Sequence, residues 1–461
     1  MMTRFSSLEK FFLLLTILGG SLILFFPVQN LLIALIGLIA FTFLFLNPKI
    51  CFYLMLVLST YVPAFATESQ QMPFNQTDIL ITICFMSIIG KILSKRREID
   101  LSTRLDKWII VLMIVYFITG FTSISHRGYQ GFLKYGETAA VFYLTVYFIR
   151  TKEIKLSEFI NVVLSIGIFQ ALYGTLQSIT GSFGANYQDN RGYLGLLGLG
   201  SSIVWHGRGT FSHFNHLGPF LSTLFLFFLP IKHFIVKNKK RGNIILGILL
   251  LGVITSYSRG SLMGLVVGSI FFMYQIQEDK RKFLLKFTPI ALIIGGLSAI
   301  LKNSSYSSTI SPRDEMWGLA FSAITSSTRS LLIGSGLTSY RDAVWQYLPG
   351  NIPVSSYDNY LAHNFILFYA VEMGILGAAT ILLFLISNLV VACKIIKNGN
   401  KLTKVLGCSV SMIIVLFLLE GMFDMAFNNF VTQIWIYLIF GIMYASISPK
   451  KLWRDKIKCP N

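Results

Sequence analysis

Three arginines lie where the sequence predicts helices to begin, and such positions favour phosphate binding. Arg208 lies in Arg-Gly-Thr-Phe-Ser-His just before an apolar run, Arg259 lies in Tyr-Ser-Arg-Gly-Ser-Leu between two apolar runs, and Arg313 follows a Ser-Pro pair. The N-terminus of a helix presents unpaired N–H groups and a partial positive charge, and a guanidinium group binds two phosphate oxygens at once. The three arginines therefore predict a site for a diphosphate, and next to a bilayer for a diphosphate with a hydrocarbon tail.

His363 begins a further apolar run, in Ala-His-Asn-Phe-Ile-Leu. If the positive end of that helix keeps the imidazole neutral, His363 can act as a general base toward an acceptor hydroxyl. A diphosphate site beside such a base predicts a glycosyl transfer that uses neither a metal ion nor another cofactor. Residues close to these four in the sequence are predicted to support the site: His213, Asn215, His216, Asn364 and Glu372.

Structural roles are the alternative for each of these residues. An arginine in an outer loop commonly contacts a lipid headgroup. This structural role is the one predicted for four further arginines, namely Arg127, Arg191, Arg329 and Arg341. Asp314 and Glu315 are placed to neutralise Arg313. His206, His213 and His216 lack the regular spacing and the carboxylates of a metal site, so the last two are predicted to shape an acceptor pocket or to cap a helix.

Apolar helices must position these residues, because the composition is that of a membrane protein. The 461-residue chain has 54% hydrophobic and only 13% charged side chains, which lies outside the usual range of soluble domains. Runs such as 30–46 and 50–66 have the length of roughly 17 to 25 residues that crosses a bilayer. The sequence predicts an all-α, polytopic transmembrane helical bundle of about 12 to 14 spans, forming one membrane domain over residues 1–461.

Basic residues are distributed in the way that orients a membrane protein. With the N-terminus in the cytoplasm, 30 of the 39 Lys and Arg fall on the cytoplasmic side, as the positive-inside rule requires. The formal net charge of +19 therefore orients the chain among membrane lipids and does not indicate nucleic acid as a partner. Both termini are predicted to be cytoplasmic, and the candidate site is predicted to be extracytoplasmic.

Two long outer loops, 181–214 and 302–362, are predicted on the extracytoplasmic side, and loops of this length tend to be functional. In the second loop, Ser-Pro-Arg-Asp is typical of a helix start, and apolar residues from Met316 onward repeat at helical spacing until Gly-Ser-Gly. We expect an amphipathic helix near 312–332 at the membrane–water interface, where it would shield the site from water.

Four sequence patterns occur in an order that is similar to that of a known family. They are Arg-Gly-Thr-Phe with Asn215 shortly after it, Tyr-Ser-Arg-Gly-Ser-Leu, Arg313-x-x-x-Trp317 followed by Gly-Ser-Gly, and His363-Asn364-x-x-Leu367 followed by Glu-x-Gly-Ile-x-Gly. Over residues 205–380 the chain resembles the O-antigen ligase and O-antigen polymerase superfamily of bacterial envelope glycosyltransferases. The N-terminal half resembles this superfamily only in its pattern of spans.

The resemblance implies a helical glycosyltransferase of the GT-C type in the bacterial cytoplasmic (inner) membrane. Its donor would be a glycan linked to a polyprenyl diphosphate, undecaprenyl diphosphate, and its acceptor a hydroxyl of a lipid core or of another glycan. The transfer would invert the anomeric carbon. The family's roles would fall on Arg208 and Arg259 as diphosphate contacts, with Arg313 as a third, and on His363 as the catalytic residue.

Two alternatives stay open. A ligase attaches a finished glycan to its acceptor, whereas a repeat-unit polymerase extends the donor-linked chain; the arginines serve either, and the His-Asn pattern favours a ligase. A transporter or flippase of lipid-linked glycans is the alternative from another class. It would use polar residues at mid-membrane depth, such as Glu137, Asn161, Gln170 and Glu420, but the sequence shows no paired halves.

Overall fold

The computed structural model describes residues 28–61, 75–95, 99–184, 188–189, 204–279, 281, 307–348, 361–422 and 429–447. Within these ranges the chain forms fifteen helices and two short strands. The first helices are α1 (Val28–Leu46), α2 (Pro48–Ser59), α3 (Gln76–Lys95), α4 (Asp106–Phe121), α5 (Gly128–Arg150) and α6 (Leu156–Thr180). Strands β1 (Gln188–Asp189) and β2 (Val204–Trp205) pair antiparallel. The helices that follow are α7 (Phe214–Ile235), α8 (Lys239–Ser256), α9 (Arg259–Ile276), α10 (Ser307–Thr325), α11 (Thr328–Leu332), α12 (Tyr340–Trp345), α13 (Phe365–Asn398), α14 (Lys401–Glu420) and α15 (Phe430–Ala445).

Six described helices are long and apolar enough to cross a membrane: α3, α6, α7, α9, α13 and α14. The α1–α2 pair makes up to a seventh, but it is bent by 111° at Asn47. This residue has φ −120° and ψ 67°, because the ring of Pro48 disfavours a helical conformation in the residue before it. The span predicted over 50–66 corresponds to the shorter α2. The chain is a helical, multi-pass membrane protein, and the larger number of about 12 to 14 spans stays a prediction.

Helices α9, α13 and α14 are packed so that α9 and α13 begin where α14 ends. α9 and α14 are antiparallel, since Gly260 approaches Glu420 while Gly268 approaches Met412. α13 turns into α14 through a short connection, and Asn400 caps the start of α14. Because α13 and α14 are antiparallel, the last residues of α14 lie near the first residues of α13.

Helices α6 and α8 run parallel to each other and end together. Gly167 packs against Leu249, and the hydroxyl oxygens of Thr175 and Thr255 lie 3.1 Å apart. α9 begins three residues after α8 ends. We call the end of the bundle where α6, α8 and α14 finish and α7, α9 and α13 begin the loop end.

The opposite end of the bundle carries many basic residues and is called the basic end. Lys49 Nζ lies 2.8 Å from Glu158 Oε1, and Lys91 Nζ lies 3.4 Å from Glu153 Oε2. Basic clusters between α7 and α8 and between α13 and α14 lie at this end as well. The side of the membrane that each end faces stays a prediction, with the basic end expected in the cytoplasm.

Helix α15 lies inside the bundle, and every residue from Thr432 to Tyr444 is buried. A helix that is apolar all round is stable when other helices or lipid tails surround it, and α15 is surrounded by other helices. Small side chains permit this packing, since a Cβ at Gly441 would lie 2.8 Å from Thr145 Cβ on α5. Trp435 also packs edge to face on the ring of Phe220, with the ring centroids 5.0 Å apart.

The segment predicted to form one interfacial helix near 312–332 contains two helices. α10 begins five residues earlier, at Ser307, and ends at Thr325, where α11 follows after a break. The break is stabilised by Ser327, whose Oγ accepts a hydrogen bond from the N–H of Ser330 at 3.0 Å and so caps α11. α10 packs against α13, and four residues of its predicted apolar face are buried: Met316, Ala320, Ala323 and Ile324. Its position at a membrane–water interface stays a prediction.

Candidate functional site at the loop end

Arg208 lies in the loop between β2 and α7, and this loop is fixed on two helices. Its backbone N–H donates to Gln177 Oε1 on α6 at 3.0 Å. The N–H of the preceding Gly207 donates to the carbonyl oxygen of Thr255 on α8 at 2.9 Å. Arg208 is therefore held at the loop end, beside the last turns of α6 and α8.

The guanidinium group of Arg208 is half-buried and contacts backbone carbonyl groups. Nε donates to the carbonyl oxygen of Gly184 at 2.7 Å, and Nη1 donates to that of Ser212 at 3.3 Å. These bonds use two of the five N–H donors of a guanidinium group. They fix the direction in which the remaining donors point.

His213 and His216 stabilise the start of α7. His213 is the N-cap, and its Nδ1 accepts a hydrogen bond from the N–H of Asn215 at 3.0 Å. His216 Nδ1 lies 3.0 Å from Ser212 Oγ. Both imidazoles thus have structural partners within the segment that follows Arg208.

His206 is buried, and its ring stacks on that of Tyr257 with the centroids 5.0 Å apart. The ring of Phe214 packs edge to face against the His206 ring, with the centroids 4.4 Å apart. Within the described ranges, no group of three or more His, Cys, Asp or Glu is arranged to hold a metal ion.

Arg259 is the first residue of α9 and is exposed at the loop end, above a buried polar cluster. Ser258 Oγ lies 2.8 Å from Ser261 Oγ, which donates to Glu420 Oε1 at 2.6 Å. All three side chains of this cluster are buried. A Cβ at Gly260 would lie 3.2 Å from Glu420 Cγ, so the lack of a side chain there permits the close approach. The start of α9 is therefore fixed on the end of α14.

Glu420 was not assigned to the site by the sequence, where it appeared only among polar residues that a transporter would use. A signal for it exists in the serines that flank Arg259, because hydroxyl groups at a buried helix start need an acceptor. The acceptor itself lies 159 residues away from Ser261. Local sequence does not reveal a contact over that distance.

His363 lies just before Asn364, the N-cap of α13. It has a backbone conformation that is rare outside glycine. Its φ is 44°, and residues held in this region cost about 1 to 3 kcal/mol, a strain often found at functional sites. Asn364 is the N-cap, and its Oδ1 accepts hydrogen bonds from the N–H groups of Ile366 and Leu367 at 3.0 and 3.1 Å. The partly exposed His363 thus lies beside the positive N-terminus of α13.

The start of α13 is bonded to the end of α14. The N–H of Phe365 donates to the carbonyl oxygen of Gly421 at 2.8 Å. Gly421 follows Glu420, which is hydrogen-bonded to α9. The helix starts that carry Arg259 and His363 are therefore both hydrogen-bonded to the end of α14.

Helix α10 contacts the residues next to His363. Trp317 Nε1 donates to the carbonyl oxygen of Ala362 at 2.8 Å. Arg313 lies four residues before Trp317, one turn earlier on the same helix, and its side chain lies outside the described part of the chain. The backbone of α10 at Arg313 is thus one turn from a contact with the His363 segment.

Glu372 lies seven residues, about two turns, after the start of α13 and holds the loop that follows α11. It is buried, and its Oε1 accepts a hydrogen bond from the N–H of Tyr340 at 3.3 Å. Its carbonyl oxygen accepts from the N–H of Gly336 at 2.7 Å. Burial chiefly raises the pKa of the Tyr340 hydroxyl above its ordinary value, so this phenol is neutral at physiological pH. Glu372 fixes the loop on α13, and the supporting role predicted for it in the site stays a prediction.

The segment that carries Arg259, Arg313 and His363 also matches a known family. Residues 244–382 match the family model described as O-antigen ligase. The chain contains an O-antigen ligase segment. The resemblance to the O-antigen ligase and polymerase superfamily is confirmed over these residues, and Arg208 lies before them. No match is found among curated proteins.

The O-antigen ligase segment has a direct consequence for function. The match over residues 244–382 supports a membrane glycosyltransferase of the O-antigen ligase or polymerase type. This family implies a lipid-linked glycan as substrate, in contact with membrane lipids. The roles of individual residues within the O-antigen ligase segment stay predictions.

Proposed function

We propose that the protein transfers a glycan from an undecaprenyl diphosphate-linked donor to an acceptor hydroxyl at the extracytoplasmic face, with inversion at the anomeric carbon. One observation supports this more than any other: the helix starts that carry Arg259 and His363 are both hydrogen-bonded to the end of α14. Positive helix ends and a guanidinium group attract a diphosphate, while its hydrocarbon tail remains in the bilayer beside the helices.

Each residue has a separate role in this reaction. Arg259 and Arg208 bind the diphosphate and stabilise the negative charge that it gains as the leaving group. Arg313 is a third contact, since α10 is tied to the residues next to His363. His363 accepts the proton of the acceptor hydroxyl while the acceptor oxygen bonds to the anomeric carbon and the bond to the diphosphate breaks. The reaction so written needs no metal ion and no other cofactor.

The substitutions His363→Ala and Arg259→Ala test the proposal. General-base help is worth about 10² to 10⁴-fold in rate, and a positioned donor to the leaving group about 10² to 10³-fold. We expect transfer of labelled glycan by the purified protein in detergent to fall by these factors, although both variants still insert into the membrane. His233→Ala and Arg241→Ala are matched controls, because both residues are exposed at the basic end. Wild-type transfer by His363→Ala and Arg259→Ala would refute the proposal.

A ligase is favoured over a repeat-unit polymerase by the His-Asn pattern at the start of α13. A deletion strain separates the two functions. Polymer that persists but is not attached to its acceptor indicates a ligase, whereas single repeat units on the lipid carrier indicate a polymerase.

Transport of a lipid-linked glycan gains no support from the contacts of two polar residues that it would use. Gln170 binds the loop after Arg208, and Glu420 binds Ser261, so each interacts with neighbouring groups of the protein. Glycan transfer by purified protein in detergent, where no gradient exists, would count against transport as the function.

A further inference from the structure

Gln177 on α6 uses all of its hydrogen-bonding groups within the protein. Its Oε1 accepts from the N–H groups of Arg208 and Gly209 at 3.0 and 2.8 Å. Its Nε2 donates to the carbonyl oxygens of Phe183 and Gly209, each at 3.0 Å. The residue is only 1% exposed. A primary amide has two donors and an oxygen with two lone pairs, so the side chain is fully satisfied.

These bonds hold Arg208 from two sides. On one side, Gln177 binds its backbone N–H directly. On the other side, Gln177 binds the carbonyl group of Phe183, and the next carbonyl along the chain, that of Gly184, accepts a hydrogen bond from Arg208 Nε. One buried side chain therefore fixes both the backbone of Arg208 and the group that orients its guanidinium.

Glycines allow the loop to approach α6 closely enough for these bonds. A Cβ at Gly207 would lie 2.2 Å from the carbonyl oxygen of Gly174, and Gly209 has a φ of 61°. Two turns earlier on α6, Gln170 extends the same pattern, because its Oε1 accepts from the N–H of Thr210 at 3.0 Å. The N–H groups of Arg208, Gly209 and Thr210 are thus all satisfied by two glutamines of one helix.

We propose that Gln177 is a positioning residue for the lipid-linked donor, because it holds Arg208 in the orientation in which the guanidinium group binds the diphosphate. This inference rests on the proposed function, in which Arg208 contacts the diphosphate. Gln177 is buried beneath the loop and acts only through Arg208. Replacing it by leucine keeps a similar volume but leaves several buried backbone groups without partners, so the loop must rearrange.

Binding of undecaprenyl diphosphate to the purified full chain in lipid nanodiscs tests this inference. We expect the Kd to rise about tenfold for Gln177→Leu, since a displaced guanidinium group loses part of a charge-assisted contact. Gln177→Glu keeps the acceptor for Arg208 but loses both donors, so its Kd is expected between those of the wild type and Gln177→Leu. The double variant Gln177→Leu/Arg208→Ala is expected to bind no more weakly than Arg208→Ala, because both changes act on one contact.

Asn388→Leu provides a matched control for the loss of a buried amide. Asn388 is fully buried on α13, and its Oδ1 accepts a hydrogen bond from the Tyr444 hydroxyl at 3.0 Å, near the basic end. Its replacement is expected to lower the fraction of folded protein while the folded fraction keeps the wild-type Kd. If Gln177→Leu also keeps the wild-type Kd, or if its effect multiplies with that of Arg208→Ala, the positioning role is overturned.

The function itself is tested separately from this role. A wild-type Kd for Arg208→Ala would overturn both the contact assigned to Arg208 and the role of Gln177. Transfer by His363→Ala and Arg259→Ala would still decide the proposed function, because these substitutions leave both Gln177 and Arg208 unchanged. Failure of the inference and failure of the function therefore give different results.

Discussion

The backbone N–H of Phe365 donates a hydrogen bond to the carbonyl oxygen of Gly421, 2.8 Å away, and this bond joins the start of α13 to the end of α14. Phe365 lies two residues after His363. Gly421 follows Glu420, which accepts a hydrogen bond from Ser261 in the first turn of α9, two residues after Arg259. The position of His363 relative to Arg259 is thus set by a short series of bonds, and a change at Gly421 disturbs it without touching either residue.

Gly421→Ala is expected to lower glycan transfer about ten- to hundredfold, since a displacement of about 1 Å at a reacting group costs up to about 10²-fold. The φ of −64° and ψ of −15° at Gly421 suit any residue, so alanine adds no backbone strain. Its Cβ, however, would lie 2.3 Å from Phe365 Cδ1, so the start of α13 must shift. Transfer by purified protein is the measurement. Gly247→Ala on α8, where a Cβ meets nothing within 4 Å, is the control, and equal rates for the two variants would contradict the link.

Trp317→Phe is expected to lower transfer severalfold. The indole Nε1 donates to the carbonyl oxygen of Ala362, next to His363, and phenylalanine keeps the apolar ring but removes the donor. The lost bond is worth about 1 kcal/mol, which loosens the segment before α13. Trp345→Phe is the matched control, because Trp345 is 44% exposed, and it is expected to keep the full rate. An unchanged rate for Trp317→Phe would show that α10 does not position His363.

Local features of this fold could be predicted from the sequence, whereas contacts between distant helix ends could not. The apolar runs of α6 and α13 indicate helices because length and composition are local properties. Asn364 is typical of an N-cap, and it caps α13 in the structure. The contact of Ser261 with Glu420 depends on how helices pack, and a single sequence carries no direct signal for that packing.

Helix boundaries show the same limit. The Ser-Pro-Arg-Asp sequence predicted a helix start at Pro312, whereas α10 begins at Ser307. A capping preference is worth only about 1 kcal/mol, so packing of α10 against α13 can override it. The buried α15 is likewise short for a span, and its place inside the bundle follows from its neighbours, which the sequence does not name.

Gly374→Ala is expected to destabilise the protein. Gly374 interrupts α13 with a φ of 66°, and a Cβ there would lie 2.3 Å from the carbonyl carbon and oxygen of Leu332. That φ, together with a ψ of −178°, lies in a region nearly restricted to glycine and costs about 1 to 3 kcal/mol in a residue with a side chain, and overpacking adds about 1 to 3 kcal/mol. A lower midpoint of thermal unfolding in detergent is the expected result. Gly318→Ala on α10, with nothing within 4 Å, is expected to be neutral or stabilising, and a similar loss in both variants would argue against this account.

Asn364→Asp and Asn364→Ala separate the capping role of Asn364 from an effect on His363. Aspartate keeps an oxygen that accepts from the N–H groups of Ile366 and Leu367, whereas alanine removes the cap and costs about 1 kcal/mol. Thermal unfolding is therefore expected at the wild-type midpoint for Asn364→Asp and at a lower one for Asn364→Ala.

The dependence of kcat/KM on pH is expected to change in Asn364→Asp alone. A carboxylate in the residue next to His363 adds a negative charge that favours a protonated imidazole, and a general base must be neutral to act. The neutral form then appears only at higher pH, so the acidic limb of the profile moves upward in pH for Asn364→Asp and stays in place for Asn364→Ala. Because His363 is the group assigned to that limb, an acidic limb that does not move in Asn364→Asp would mean that another residue accepts the proton.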